Sequence, residues 1–320
     1  MNQLVKYQLI ISENAHFVPD NLFNFQRYFF NEIEHLKHQG GDDLYTFYWQ
    51  EVNFKTIEAR FSVIIKDKIA YSPFKATFGG IEFSQSLSEI SLHQFLERVE
   101  SFLFSKNISE IHINLYPEKY LSEQQKHILE NCLQKLHFQI KYTEHNYEID
   151  VTEKSFLEII ISPRAKQLLK KSIKNEFVIK NETNPDFSII HAFIANSRLR
   201  KNRPMTMTLE QLTEHFQKFP DNFQLFSVYD IDVLIATGVT IKINQDILYT
   251  FYLADNEQYL KHSPTIYLLS GIYEYGQKEN FKLLDLGIAT DKGVLNEGLA
   301  RFKRSLGGKL SEKKTYFRKY

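Results

Sequence analysis

The sequence predicts an α/β protein of two tandem domains, each a mixed, largely antiparallel sheet flanked by helices. Three observations predict it. First, 320 residues exceed what one hydrophobic core usually serves. Second, short β-branched and aromatic runs alternate with amphipathic stretches at helical spacing in both halves. Third, the halves align at an offset of roughly 172 residues, a repeat of whole domains rather than of a solenoid unit. Ala76 to Ser84 then falls on Leu248 to Asn256, and Ile111 to Leu115 on Leu283 to Gly287. We place the domains at 1–152 and 153–320.

In order along the chain, Asn21 to His38 has helical spacing, and Gly40-Gly41-Asp42-Asp43 is a turn. Leu44 to Gln50, Ile57 to Lys66 and Lys68 to Ser84 read as strands. Ser91 to Ser105 and Ser122 to Leu136 are amphipathic helices; Ile111 to Leu115 and Phe138 to Val151 are strands. Glu153 to Lys174 is a lysine-rich, helix-like connection. Phe177 to Lys180 is a short strand and Asp186 to Arg198 a helix. Phe223 to Tyr229, Val233 to Lys242 and Ile247 to Ala254 are strands. Ser263-Pro264 opens a helix, serine as cap and proline in first position. The last quarter is strand (Phe281 to Leu286), glycine turn, helix (Leu295, Leu299, Phe302, Leu306), the pair Gly307-Gly308 and a final strand.

Composition narrows the functional classes. Lys plus Arg equals Asp plus Glu at 39 each, so no global field favours nucleic acid or an anionic membrane. The single cysteine, Cys132, lies in an amphipathic stretch and reads as packing, which leaves no disulfide framework and no cysteine–histidine metal spacing. No metal is expected. No apolar run reaches the length of a bilayer span, and without a basic start followed by a long apolar core no signal peptide is expected. A reducing, cytoplasmic home is the default expectation.

The residues that carry a resemblance lie in the second half: Asp285-Leu286-Gly287, then Gly298-Leu299-Ala300-Arg301-Phe302-Lys303-Arg304-Ser305-Leu306-Gly307-Gly308. This pattern is similar to the acyl-coenzyme A N-acyltransferase (GNAT) superfamily, whose FemABX branch has two such domains. There a strand ending in Asp-Phe-Gly precedes a helix carrying Phe-Lys. The resemblance implies acyl transfer from acyl-coenzyme A to a small amine or peptide acceptor, catalysed by the C-terminal domain. One departure stands out. Ordinary acetyltransferases of the superfamily hold the pyrophosphate on a glycine-rich turn before a helix. Here the corresponding run, Asp255 to Pro264, contains no glycine. The resemblance therefore leaves open aminoacyl-tRNA as donor, or a binding module that has lost catalysis.

Candidate residues follow. Lys303, at the family's Phe-Lys position and beside the apolar stripe of its helix, is the expected catalytic cation, with Asp285 and Tyr252. Tyr252, Leu253, Ala254, Thr265, Asn296 and Lys303 are expected to line the cofactor. Arg198, Arg200, Arg203 and Tyr249 are expected to meet the acceptor. Arg301 is expected on the surface, paired with Glu297 one turn earlier. The first half places Asn131 where Lys303 stands and Leu115 where Gly287 stands, so we expect a degenerate first domain. A basic C-terminal run, Lys309 to Lys319, is a minor candidate for RNA.

Overall fold

A computed structural model describes residues 6–320. The chain divides into two compact units. One contains the residues up to His145, Lys292–Val294 and Ser311–Tyr320; the other contains Asn146–Asp291 and Leu295–Leu310.

The first unit contains β1 (Tyr7–Glu13), α1 (Ile33–His38), β2 (Asp43–Glu51), β3 (Thr56–Lys66), β4 (Ile69–Ser72), β5 (Ile81–Phe83), α2 (Glu89–Ser105), β6 (Glu110–Asn114), α3 (Glu123–Lys135) and most of β7 (Gln139–Asp150). Its strands run in the order β1-β2-β3-β4-β6, with β5 against β3. Pairing is antiparallel except between β4 and β6. Phe47, Trp49, Phe61, Phe95, Val99 and Leu103 build the core between the sheet and α2 and α3. Both helices start on the serine caps that hydroxyl chemistry favours, Ser88 and Ser122, the latter in a capping box with Gln125. Cys132 is fully buried in this core, and burial pushes its thiol up to about 12.

Two first-half expectations are corrected. Asn21 to His38 is not one helix: only a short 3-10 turn, Phe29–Asn31, and α1 form. The backbone of the preceding residues bonds outward instead, Asn24 N–H to Ile57 O at 2.9 Å and Tyr28 N–H to the Glu82 carboxylate at 2.6 Å. Lys68 to Ser84 is not continuous strand either. Pro73, which has no N–H to give a ladder, follows the end of β4, and pairing resumes only at β5.

The second unit contains the end of β7, α4 (Phe156–Ile159), α5 (Pro163–Lys174), β8 (Val178–Asn181), α6 (Phe187–Arg200), α7 (Leu209–Lys218), β9 (Phe223–Asp230), β10 (Val233–Lys242), β11 (Ile247–Asp255), α8 (Pro264–Lys278), β12 (Leu283–Ile288) and the two-residue strands β13 (Thr290–Asp291) and β14 (Val294–Leu295). Then come α9 (Glu297–Ser305) and β15 (Lys309–Lys319), whose residues from Ser311 on belong to the first unit and pair with β6. The sheet of the second unit runs from residues 146–150 of β7 through β12-β11-β10-β9 to β8. Its pairings are antiparallel except β11 with β12. Ile266, Leu269, Ile272 and Tyr273 of α8 pack on Leu248, Ile235 and Leu284. Helix α7 escaped the sequence reading although Thr208 and Gln211 form a capping box. Ser263 does not cap α8 as expected: it sits in the left-handed region at φ 50° and its side chain makes no cap bond. Among the described residues no helix is long and apolar enough to cross a membrane.

Candidate functional site

The site grows from a place where β11 and β12 part. Their parallel pairing holds for three positions only, ending at Tyr249 opposite Asp285. On its other side β12 pairs with β7 up to Asp285 opposite Glu148, then slips register before Ile288 meets Asn146. The backbone around Gly287 therefore leaves both ladders, and its polar groups need other partners. Gly287 supplies the φ of +76° that this departure requires.

The partners are side chains. Asp285, fully buried, accepts the Gly287 N–H at 2.7 Å and the Asn146 amide at 2.9 Å on one carboxylate oxygen. Thr250 donates its hydroxyl to the Asp285 carbonyl at 3.1 Å. Lys303, 5% exposed, donates from Nζ to the carbonyls of Gly287 and Ile288, each at 2.8 Å. The amine thus replaces the missing strand. Helix α9 delivers it there because Ala300 and Lys303 share its buried side, while Arg301 and Arg304 face out. Arg301 is exposed as expected, but Glu297 lies against Arg304 instead, at 3.9 Å.

Burial dominates the electrostatics of Lys303. Desolvation pulls its pKa down to about 7, opposed by the Asp285 carboxylate and reinforced by Arg203. The neutral amine suits the geometry, since its two N–H groups match two carbonyls and leave a lone pair. A Cβ built on Gly287 would lie 3.3 Å from the Tyr249 ring and 3.9 Å from Lys303 Nζ, so the tyrosine and the amine flank this glycine.

The other expected residues fall into two groups nearby. The Arg198 guanidinium lies over the Tyr252 ring at 5.1 Å, and Arg198 Nε donates to the Pro204 carbonyl at 3.0 Å. Tyr252, 3% exposed, bonds through its hydroxyl to Thr206. Burial raises its pKa, against the opposing pull of Thr206 and Arg198. Arg198 in turn feels Tyr252, Arg203 and Tyr249. Arg198, Arg203, Tyr249, Tyr252 and Lys303 therefore share one neighbourhood.

The second group surrounds Asp255, at the end of β11. Its carboxylate accepts from Arg200, from Lys201 at 3.1 Å, from Ser197 at 3.2 Å and from Thr265 at 3.2 Å. These cations hold its pKa below the usual carboxylate range against the opposing effect of burial, which is the largest influence. Arg200 and Thr265 are thus engaged with a protein carboxylate. Asn296 accepts the Leu299 N–H at 2.9 Å and caps α9. Ala254 is fully buried; Leu253 is half-buried, beside Gly238 of β10. Asn146, Thr250 and Asp255 were not singled out from the sequence. Only the polar position of Thr250 in an apolar strand hinted at a bond.

No family model and no curated protein matches the chain. Solved structures do. FemX superposes with a TM-score of 0.68 at 11% identity, over 86% of this chain and 87% of that one. L-PGS from Bacillus licheniformis gives 0.55 at 9% identity, over 90% and 87%. A tandem GNAT protein from the clavulanic acid biosynthesis pathway gives 0.51 at 10% identity, over 86% and 82%. With its mixed, largely antiparallel sheet and flanking helices, the chain has the GNAT-superfamily fold in its FemABX-like form.

Proposed function

We propose that the second unit transfers an acyl group from an activated ester or thioester to an amine. The observation that carries this reading is the buried amine of Lys303, with a pKa near 7, fixed where β11 and β12 part. An amine acceptor must shed a proton as its nitrogen attacks the acyl carbon. The C–N bond forms, the C–O or C–S bond breaks, and the departing oxygen or sulfur takes up a proton. A group titrating near neutrality is suited to carry that proton. Arg198 and Arg203, beside Tyr249 and Tyr252, would orient an acceptor bearing a carboxylate or phosphate. Asp285 acts as a positioning residue: it fixes the Gly287 turn that holds the amine.

The donor expected from the family pattern is acyl-coenzyme A. One observation favours the second reading, an aminoacyl ester of tRNA. A coenzyme A pyrophosphate would need the start of α8, where Asp255 already draws in Arg200, Lys201 and the Thr265 hydroxyl. A second anion there would meet a carboxylate whose partner cations are engaged.

The test uses purified protein, a panel of peptides and amino sugars, and two donors: acetyl- to palmitoyl-coenzyme A, read by thiol release, and charged tRNA, read by transfer of labelled amino acid. Turnover is expected with one donor class, and Lys303→Met should lower kcat by roughly 10²-fold or more. A tRNA donor should bind less tightly as salt rises. Absence of turnover with both donors, or a Lys303→Met variant as active as wild type, would leave a binding module as the surviving reading.

A further inference from the structure

Helix α5 carries an unbalanced charge. Its twelve residues include Arg164, Lys166, Lys170, Lys171 and Lys174 and no acid. Ser162 caps it, Pro163 starts it, and Ala165, Leu169 and Ser172 bury its inner side. The Ser172 hydroxyl ties it to the His262 carbonyl at 2.6 Å. Arg164, Lys170, Lys171 and Lys174 face outward and are exposed. Lys261, in the turn against which α5 packs, adds another exposed cation.

Two further observations bear on what this face meets. None of these six cations has an ion-pair partner among the described residues, whereas Lys66, Lys135, Lys201, Lys282, Lys309 and Lys314 are all paired. The resulting field is felt locally: burial first, then Lys261 and Lys171, lower the His262 pKa. Exposed aliphatic side chains also flank the helix. Ile161, just before it, is 70% exposed, and Ile173, on its last turn, is 53% exposed.

We propose that the outer face of α5 docks on an anionic lipid surface, with Lys170, Lys171, Lys174 and Lys261 against lipid phosphates and Ile161 and Ile173 in the interface. Unpaired cations alone would suit any polyanion. The exposed isoleucines decide for lipid: aliphatic groups gain by leaving water for acyl chains, whereas nucleic-acid binding rewards aromatic stacking. The inference does not depend on the transferase reading.

The test is co-sedimentation of the whole protein with phosphatidylcholine vesicles, with and without one-third phosphatidylglycerol, at low salt. Binding is expected only with phosphatidylglycerol. Each lysine near the surface is worth about fivefold, so Lys170→Glu/Lys171→Glu/Lys174→Glu should bind at least about 100-fold more weakly. Ile173→Asp should weaken vesicle binding several-fold and leave binding to a duplex RNA unchanged. These positions are exposed, and circular dichroism with an unchanged Tm verifies folding. Equal binding to neutral vesicles, indifference to the triple reversal, tight duplex-RNA binding with Ile173→Asp neutral on vesicles, or displacement by millimolar inorganic phosphate would each overturn the proposal.

Discussion

A neutral lysine in the folded chain has a thermodynamic consequence that needs no substrate. In the unfolded chain Lys303 keeps its proton up to about pH 10.5; folded, it gives it up near 7. Between those values the unfolded state binds one more proton, so stability rises with pH through the window. The slope is about 1.4 kcal/mol per pH unit for one proton. Between about pH 7.5 and about pH 9 the wild type should gain about 2 kcal/mol relative to a chain lacking the amine. Lys303→Met is the comparison. It keeps the apolar stem and leaves the Gly287 and Ile288 carbonyls without their partner, a loss of about 1–3 kcal/mol for each buried group. The offset between the two proteins sets these lost hydrogen bonds against the cost of removing the wild-type proton, and it should move in the wild type's favour as pH rises. Urea unfolding at several pH values in that range measures it. Subtracting the two curves removes tyrosines and Cys132, which titrate in both proteins. Parallel curves would mean that Lys303 stays protonated when folded, and the proton-carrying role argued from its burial would fall with it.

Other expectations follow from the same neighbourhood. Gly287→Ala forces a Cβ into a left-handed φ and against the Tyr249 ring, and should cost about 1–2 kcal/mol, read as a lower urea midpoint. Asp285→Ala orphans the Gly287 N–H and leaves the Asn146 amide with Glu148 alone; we expect a loss of about 1–3 kcal/mol, and Asp285→Asn should recover part of it. In the first unit Arg60 is 2% exposed and donates from Nε to the buried Glu82 at 2.6 Å. Arg60→Met should therefore cost about 3–5 kcal/mol by leaving a buried carboxylate unpaired, unless Glu82→Gln is made with it. Asp255→Ser should raise the affinity for inorganic pyrophosphate over wild type in calorimetry by freeing Arg200 and Lys201; unchanged affinity would remove the argument against coenzyme A.

Much of the fold was legible because periodicity and caps report local structure. The helix read from Ser122 starts on a capping box with Gln125, whereas the single helix-like run read from Glu153 to Lys174 breaks after α4, and a new helix starts at Pro163 behind Ser162. The failures have a common cause. In Asn21 to His38 the spacing was right for a helix, but the backbone found partners in β3 and Glu82, which lie far off in sequence. In the site, Lys303 was picked out by its match to the family's Phe-Lys position together with its place on the helical wheel beside the apolar stripe. Its partners were not, because an orphaned carbonyl belongs to no residue type. Arg200 looked like a free cation for the same reason: its carboxylate, Asp255, is 55 residues away and joined to it only by the fold.

The contrast between the aligned positions of the two halves follows from hydrogen-bond accounting. Where the second half has Gly287, the first has Leu115, and there the strand end stays paired: Leu115 N–H donates to the Lys314 carbonyl at 3.0 Å, and Gly79 bridges to it from the other side. With those ladder groups engaged, there is no comparable call for a buried amine. The residue aligned with Lys303, Asn131, instead bonds Glu89 at 3.1 Å, both residues half-buried. Opening the ladder and installing the lysine are therefore one event energetically. A chain that parts these strands without a buried donor leaves two carbonyls unpaired, and one that buries the lysine without parting them leaves an amine with nothing to hold. Both changes have to be reversed together to return the second half to the first half's state. Lys303→Asn with Gly287→Leu should thus be less destabilising than the sum of the single changes, a coupling that a double-mutant cycle measures directly.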